Sequence, residues 1–420
     1  MKRILLISPQ YYPCNSPCSY RIHSFAKYLP RYGYSPTILT LAQNEDMVWI
    51  LSYRVDPSLE GLDVCRTERI AFPWPKRSSA NIFKLRRFPL TWPPGLTELM
   101  VKRAEGLHEE ESYDAILATA PLWFTLSVAA RLGERFSIPW VADCRDVAAE
   151  HSLGIKWNCP WQWRHWLYQA WLIHQESKVC RTAAATITVS RHLVDLLASR
   201  RIPNVHLVTN GFDPDDYKRI VKTGSKIFRI VYSGGMMGGA DPTPLFDALD
   251  LLLGEQAFPD NDFEVCFYGK SNASVERYLQ GHPCKSIVYI KGLKPRAEVQ
   301  SITVDAALLL QLAYPNKKGI TTSKIFEYLG AARPIIAVPR DGDVIDALLA
   351  ETGAGVSATT PREIADIIAG FYREWKKTGR VTYHANSEAV SRYTRQAQAK
   401  NLGKILDSVL THGGSGKRAT

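Results

Sequence analysis

The chain has 420 residues, of which 45% are apolar, enough to bury a large core and to divide, at roughly 100–200 residues per domain, into two or three domains. That excludes disorder as its default state. The formal charge of +11 favours a polyanionic partner without choosing among nucleic acid, anionic lipid and a diphosphate.

The N-terminus reads Met1-Lys2-Arg3, then Ile4-Leu5-Leu6-Ile7, and stops at Ser8-Pro9. This apolar run is too short for a signal peptide and is predicted to be a buried first strand. No window approaches the ~18 apolar residues of a membrane-spanning helix, so the expectation is a soluble, cytoplasmic protein. Of the eight cysteines, Cys14 and Cys18 are near neighbours, and Cys65, Cys144, Cys159, Cys180, Cys266 and Cys284 stand singly. Such spacing suits buried free thiols in a reducing compartment better than metal-ligand pairs.

Short apolar runs then alternate with amphipathic stretches, the rhythm of βαβ units around a parallel sheet. Strands are predicted over 4–8, 35–39, 115–118, 140–143 and 186–189, and helices over 20–32, 122–136, 161–183 and 192–200. Residues 45–110 break the rhythm with Pro73-Trp74-Pro75 and Trp92-Pro93-Pro94-Gly95, which predict loops around short helices. Two stretches interleave basic and aromatic residues. Arg77, Lys84, Arg86 and Arg87 alternate with Phe83, Phe88 and Trp92; Lys156, Arg164 and His165 alternate with Trp157, Trp161, Trp163, Trp166 and Trp171. They fit either a membrane interface or a core helix with a basic outer face.

The turn-rich segment from Asn210 to Asp216 and the polar run 218–226 precede a new strand over 228–232. The boundary is placed there: an N-terminal domain over 1–215, a C-terminal domain over 216–385, and a C-terminal helix and tail over 386–420, with 413–420 frayed. In the second series strands are predicted near 264–268, 287–291, 306–312 and 334–338. Helices are predicted near 242–253, 274–280, 296–302, 323–330, 344–351 and 361–377. Two such series imply two doubly wound, Rossmann-like sheets whose strand carboxyl ends open toward a shared crevice.

Two segments carry candidate chemistry. Strand 228–232 runs into Ser233-Gly234-Gly235-Met236-Met237-Gly238-Gly239, with Asp241-Pro242 opening the next helix. Glycines allow close backbone approach to a phosphate, and a helix start adds free N–H groups and positive potential; a plain glycine turn fits equally. Further on, Thr321, Thr322 and Ser323 precede a helix whose first turns hold Lys324 and Glu327. N–H groups and Lys324 can hold a pyrophosphate there while Glu327 accepts from ribose hydroxyls; a simple Lys324–Glu327 contact along the helix is the alternative. Asp341-Gly342-Asp343 reads as a helix start rather than a metal-binding acidic pair.

The ordered set of motifs resembles glycosyltransferase family 4. It comprises Ile4 to Pro13, Phe25 to Leu29 before Gly33-Tyr34, Ile138 to Asp146, Thr186 to Ser190, Thr209 to Asp213 and Ser323 to Ile336, spanning residue 1 to about 380. The resemblance implies a GT-B fold, an NDP-sugar held mainly by the C-terminal domain, and a glycan or lipid-linked acceptor held mainly by the N-terminal domain. It further implies retention of configuration and a role in surface polysaccharide or glycolipid assembly. The family signature is a spaced pair of glutamates. Glu327 matches the ribose-binding second one, and Gly319 stands in place of the first. Met236, Met237 and Ala240 replace the cations usual near the glycine loop, with Lys270 and Lys317 or Lys318 as compensating candidates. Cys14-Asn15-Ser16-Pro17-Cys18-Ser19 replaces the usual glycines before Arg21.

By that resemblance the donor site sits on Gly234, Gly235, Lys270, Thr322, Ser323, Lys324 and Glu327. Arg145 and Asp146 are the catalytic candidates, Asp146 orienting or deprotonating the acceptor hydroxyl; a salt bridge between them is the alternative. Helix termini and lysines can stabilise the departing diphosphate, so neither a metal nor a cofactor is expected. The expected location is the cytoplasm, with peripheral contact to the anionic inner face of the plasma membrane, and no nucleic-acid partner. A nucleotide-sugar epimerase of the same fold and a catalytically silent scaffold subunit are the competing functions.

Overall fold

Ile4-Leu5-Leu6-Ile7 is apolar without alternation because helices cover both faces of the sheet it enters, the pattern of buried parallel strands. All four side chains are essentially inaccessible. The computed structural model describes residues 1–42, 54–72, 95–120, 124–147, 162–221, 224–236, 240–258, 261–270, 272–314 and 318–413. The chain divides into two units: Met1–Thr209 together with Arg395–Thr420, and Asn210–Thr394. The division falls at Thr209/Asn210 and Thr394/Arg395, against the sequence-based boundary after residue 215 and a separate segment from 386.

Unit 1 contains β1 (Lys2–Ile7), α1 (Pro17–Tyr28), β2 (Tyr34–Leu41), β3 (Thr67–Ile70), α2 (Leu96–Glu110), β4 (Ala115–Thr119), α3 (Phe124–Phe136), β5 (Trp140–Asp143), α4 (Gln162–Cys180), β6 (Ala185–Thr188), α5 (Arg191–Ser199) and β7 (Val205–Leu207). These strands form one sheet in the order β3-β2-β1-β4-β5-β6-β7, and every pairing is parallel. The 15-residue α2 lies where loops around short helices are predicted. Its buried residues Leu96, Met100, Val101, Ala104 and Leu107 have helical spacing, which the prolines upstream in the sequence obscured.

Unit 2 contains β8 (Phe228–Ser233), α6 (Thr243–Gly254), β9 (Phe263–Tyr268), α7 (Asn272–Tyr278), β10 (Val288–Gly292), α8 (Arg296–Asp305), β11 (Leu308–Leu312), α9 (Ser323–Ala331), β12 (Ile335–Val338), α10 (Val344–Thr352), β13 (Gly355–Ser357), α11 (Pro361–Thr378) and α12 (Ser387–Ser391). Its strand order is β10-β9-β8-β11-β12-β13, again parallel throughout. The first six strands of each unit thus follow the 3-2-1-4-5-6 order of doubly wound nucleotide-binding sheets. Ligands in such sheets bind outside the strand carboxyl ends, where the order reverses.

The last helix, α13 (Arg395–Gly413), returns to unit 1. Ala399, Leu402, Leu406 and Val409 share a buried cluster with Phe25, Ala26, Tyr28 and Leu29 of the α1 region. Tyr34 donates to Asp407 at 2.8 Å, and Lys2 pairs with Asp407 at 3.1 Å. This is why residues after 394 belong to the first unit rather than standing apart. The predicted frayed tail beyond Gly413, the proline segments 73–75 and 92–94, and the aromatic-basic positions from Arg77 to Trp92 lie outside the described residues.

Candidate functional site

In unit 2 the strand order reverses between β8 and β11, and the loop leaving β8 carries Gly234 and Gly235. Gly234 has φ +112° and Gly269 φ +145°, conformations that L side chains rarely adopt. A Cβ on Gly269 would also collide with the Gly234 backbone carbonyl, and one on Gly234 would meet the end of the Lys324 side chain, which would have to shift. The Gly234 N–H donates to the Tyr268 carbonyl at 2.7 Å. Lys270, exposed, follows directly.

Helix α9 begins beside this loop. Lys324 Nζ donates to the Tyr232 hydroxyl and to the Gly235 carbonyl, each at 2.8 Å, and lies 4.8 Å from the Tyr232 ring centroid. Burial pulls its ammonium down to about 8, since desolvation disfavours the charged form. Tyr328, one turn on, accepts from the Ser233 N–H at 2.9 Å. The structure therefore brings Gly234, Gly235, Lys324 and the start of α9 together, and seats Gly269 and Lys270 next to them. Met237, Gly238, Gly239 and Lys317 lie outside the described residues.

Thr322 occupies the N-cap position of α9, but its side chain makes no capping bond, and its Oγ1 is buried without a hydrogen-bond partner. Ser323 is the first helical residue. The end of α9 thus retains free N–H groups and positive potential beside a lysine, a combination suited to an anion.

Lys324 and Glu327 do not pair along the helix. Glu327 accepts from Tyr217 Oη at 2.7 Å and from Arg296 Nη2 at 3.1 and 3.2 Å, and Arg296 also binds Asp216 at 2.9 Å. Gly330 makes room for this, because a Cβ there would strike Tyr217 and Phe212. The sequence reading missed Tyr217 and Arg296, whose partners are remote in the chain. At the position of the missing glutamate, the Gly319 N–H donates to Asp343 Oδ2 at 2.5 Å. Asp341, not Asp343, accepts from the first N–H groups of α10, those of Ile345 and Asp346, at 3.0 Å.

In unit 1 the order reverses between β1 and β4. Asp143, at the end of β5, is wholly buried and accepts from Arg21 Nε and Nη2 at 3.0 Å each, and from Thr119 Oγ1 at 2.9 Å. Arg21 also donates to the Val208 and Thr209 carbonyls at 2.9 and 2.8 Å. Arg145 is directed at the Ala120 carbonyl, 2.9 Å from Nη2 and 3.2 Å from Nε. Asp146 is the more accessible of the two candidates: its side chain is 48% exposed, with Arg145 Nη2 4.0 Å away. Arg145 therefore acts as a brace, leaving the neighbouring carboxylate facing solvent.

Residues 18–211 match the family model described as "Glycosyl transferase 4-like domain". No curated protein sequence matches the chain. Among solved structures, Anabaena HepE in complex with UDP-glucose has 15% identity and a TM-score of 0.65, the match covering 97% of this chain and 100% of that one. Sucrose-phosphate synthase from Thermosynechococcus elongatus has 15% identity and a TM-score of 0.62, covering 98% and 100%. A putative UDP-N-acetylglucosamine 2-epimerase from Listeria monocytogenes has 11% identity and a TM-score of 0.56, covering 98% of both. At these identities the likeness establishes the GT-B fold.

Proposed function

We propose, from the match of residues 18–211 to a glycosyl transferase 4-like domain and the GT-B fold, that this chain is a glycosyltransferase that moves a sugar from a nucleoside-diphosphate sugar to a hydroxyl acceptor with retention of configuration. The observation that carries this reading is the convergence of Lys324, the Gly234-Gly235 turn and the uncapped start of α9 at the sheet's switch point. A diphosphate bonded there would keep its charge stabilised as it departs, by groups already in place. That HepE was solved with UDP-glucose supports a nucleotide sugar as donor, and supports it over a reading as silent scaffold.

In this reading unit 2 holds the donor, with Lys270, Thr322 and Ser323 on the phosphates and Glu327 on the ribose. Unit 1 holds the acceptor, with Asp146 orienting its hydroxyl and Arg145 bracing the loop. Glu327 keeps Tyr217 and Arg296 as partners, so ribose adds to an existing network. Asp343 supplies a carboxylate beside Gly319, where the resemblance lacks one. The transfer step uses no metal.

Calorimetry with nucleoside diphosphates and their sugars, followed by diphosphate release with and without acceptor, tests the assignment. Acceptor-dependent release supports transfer; release or isomerisation without acceptor would favour an epimerase; no binding would sink both. Asp146→Asn is expected to leave diphosphate affinity unchanged and to slow transfer about 2- to 10-fold, the worth of one orienting hydrogen bond. Unchanged transfer would remove Asp146 from the site.

We further propose an acceptor anchored in an anionic membrane, as in surface polysaccharide or glycolipid assembly. Among the described residues no helix is long and apolar enough to cross a membrane. Helix α4 nevertheless exposes Trp166 (64%), Leu167 (49%) and Trp171 (40%), amphipathic rings of the kind that settle at headgroup depth. Lys156, Trp157 and Trp161 lie outside the described residues. The protein is expected to float with anionic vesicles at low salt, and raising salt should weaken flotation as screening grows. Trp166→Ala combined with Trp171→Ala should abolish it, and flotation persisting in that variant would exclude α4 as the docking surface.

A further inference from the structure

The structure assigns to unit 2 a structural site for a zinc-like divalent ion, formed by Asp250, His282 and Cys284 at the end of the sheet away from the donor residues. One ligand atom from each lies within 4.8 Å of the others, the only such group of three or more His, Cys, Asp or Glu among the described residues. Asp250 is on α6. His282 and Cys284 are on the segment that leads into β10, which is an edge strand. The donor residues follow the carboxyl ends of β8 and β9, whereas this cluster precedes the amino end of β10.

Each donor is already oriented. Asp250 Oδ1 accepts from the Cys284 N–H at 2.7 Å, which leaves Oδ2 turned to His282 Nδ1 at 2.6 Å. The imidazole stands edge-on to Phe246, with centroids 5.7 Å apart. A carboxylate held by a backbone N–H is the outer-shell support that metal ligands ordinarily have. His282 and Asp250 are part exposed, at 17% and 22% of their side chains, so an ion has a way in, while Cys284 is wholly buried. Asp247 Oδ1 lies 3.9 Å from the same imidazole nitrogen but outside the group of three, so water would complete the coordination.

The donor types select the ion. One nitrogen, one sulfur and carboxylate oxygens suit a borderline-soft cation such as Zn²⁺, whereas Ca²⁺ and Mg²⁺ take oxygen alone. Zinc with ligands at roughly 2.0–2.3 Å would replace the proton between His282 and Asp250 and open that pair to roughly 3.3 Å. It would also displace the Cys284 thiol proton. Bound there, the ion would clip α6 to the segment entering the edge strand.

The test is a Co²⁺ titration of the full, untagged chain, with zinc content measured in parallel. We expect one equivalent of Co²⁺ to give a thiolate-to-cobalt absorption with tetrahedral d–d bands, and Zn²⁺ to bleach it and raise the melting midpoint. His282→Ala, at a part-exposed position, and Cys284→Ser should each lose the charge-transfer band. Asp250→Asn, which keeps the side chain's size, serves as a further probe should Cys284→Ser not fold. Absence of the band in the wild type, or its persistence in His282→Ala, would overturn the site and leave a hydrogen-bonded Asp–His clip. Nucleoside-diphosphate affinity should not depend on the metal, which separates this outcome from any failure of the donor assignment.

Discussion

Replacing Lys324 with methionine is expected to weaken nucleoside-diphosphate binding about 10- to 150-fold, the equivalent of about 1.5–3 kcal/mol for hydrogen bonds to a charged group. The fold should survive, because methionine retains the unbranched stem that passes over Gly234. The pH dependence identifies the residue. With its ammonium at about 8 in the free protein against an ordinary 10.5, Lys324 binds fewer protons folded than unfolded between those values. The free protein's stability therefore rises with pH across that window. A bound diphosphate favours the charged form, so binding should take up protons around and above pH 8, and affinity should fall as pH climbs past it. Calorimetry in buffers of different ionisation enthalpy reads the uptake directly. If wild type and Lys324→Met showed the same affinity and the same pH slope, Lys324 would not be the diphosphate cation.

Lys324 was legible in the sequence because its chemistry is local: hydroxyl residues, then a cation, at the start of an apolar-faced helix. Strands such as Trp140–Asp143 were legible for a related reason, since buried parallel strands are short apolar runs whatever their neighbours. What sequence could not supply were partners distant in the chain. Glu327 meets Tyr217 110 positions away. Asp250 meets His282 32 positions away, and nothing in the local sequence joins them. Helix α2 was hidden because Pro93-Pro94-Gly95 in the sequence reads as a loop signal, and the return of α13 to unit 1 because an amphipathic stripe does not name the surface it covers. For Asp143 and Arg145 the sequence left the partners unspecified: Asp143 holds Arg21 and Arg145 braces a carbonyl, leaving Asp146 beside them as the accessible carboxylate.

The pair of Arg21 and Asp143 carries the second large expected effect. Both side chains are almost wholly buried, at 4% and 0% exposure, and they join α1 to β5 across 122 positions of sequence. Removing one partner leaves a buried charge uncompensated, so Arg21→Met is expected to cost about 3–5 kcal/mol of stability in unit 1. At about 2–4 °C per kcal/mol for a domain of this size, its melting point should fall by roughly 6–20 °C. Arg21 also ties down the Val208 and Thr209 carbonyls, so the amides of β7 should lose protection from hydrogen exchange along with those of β5. The double variant Arg21→Met with Asp143→Leu removes both charges and should recover much of the loss, because apolar replacement of a buried ion pair is often neutral or better. Diphosphate binding, which we propose for unit 2, should persist in all three proteins below the melting point of unit 1. If Arg21→Met melted like the wild type, the pair would be dispensable to unit 1, and its burial would have to be explained by a direct role in holding the acceptor.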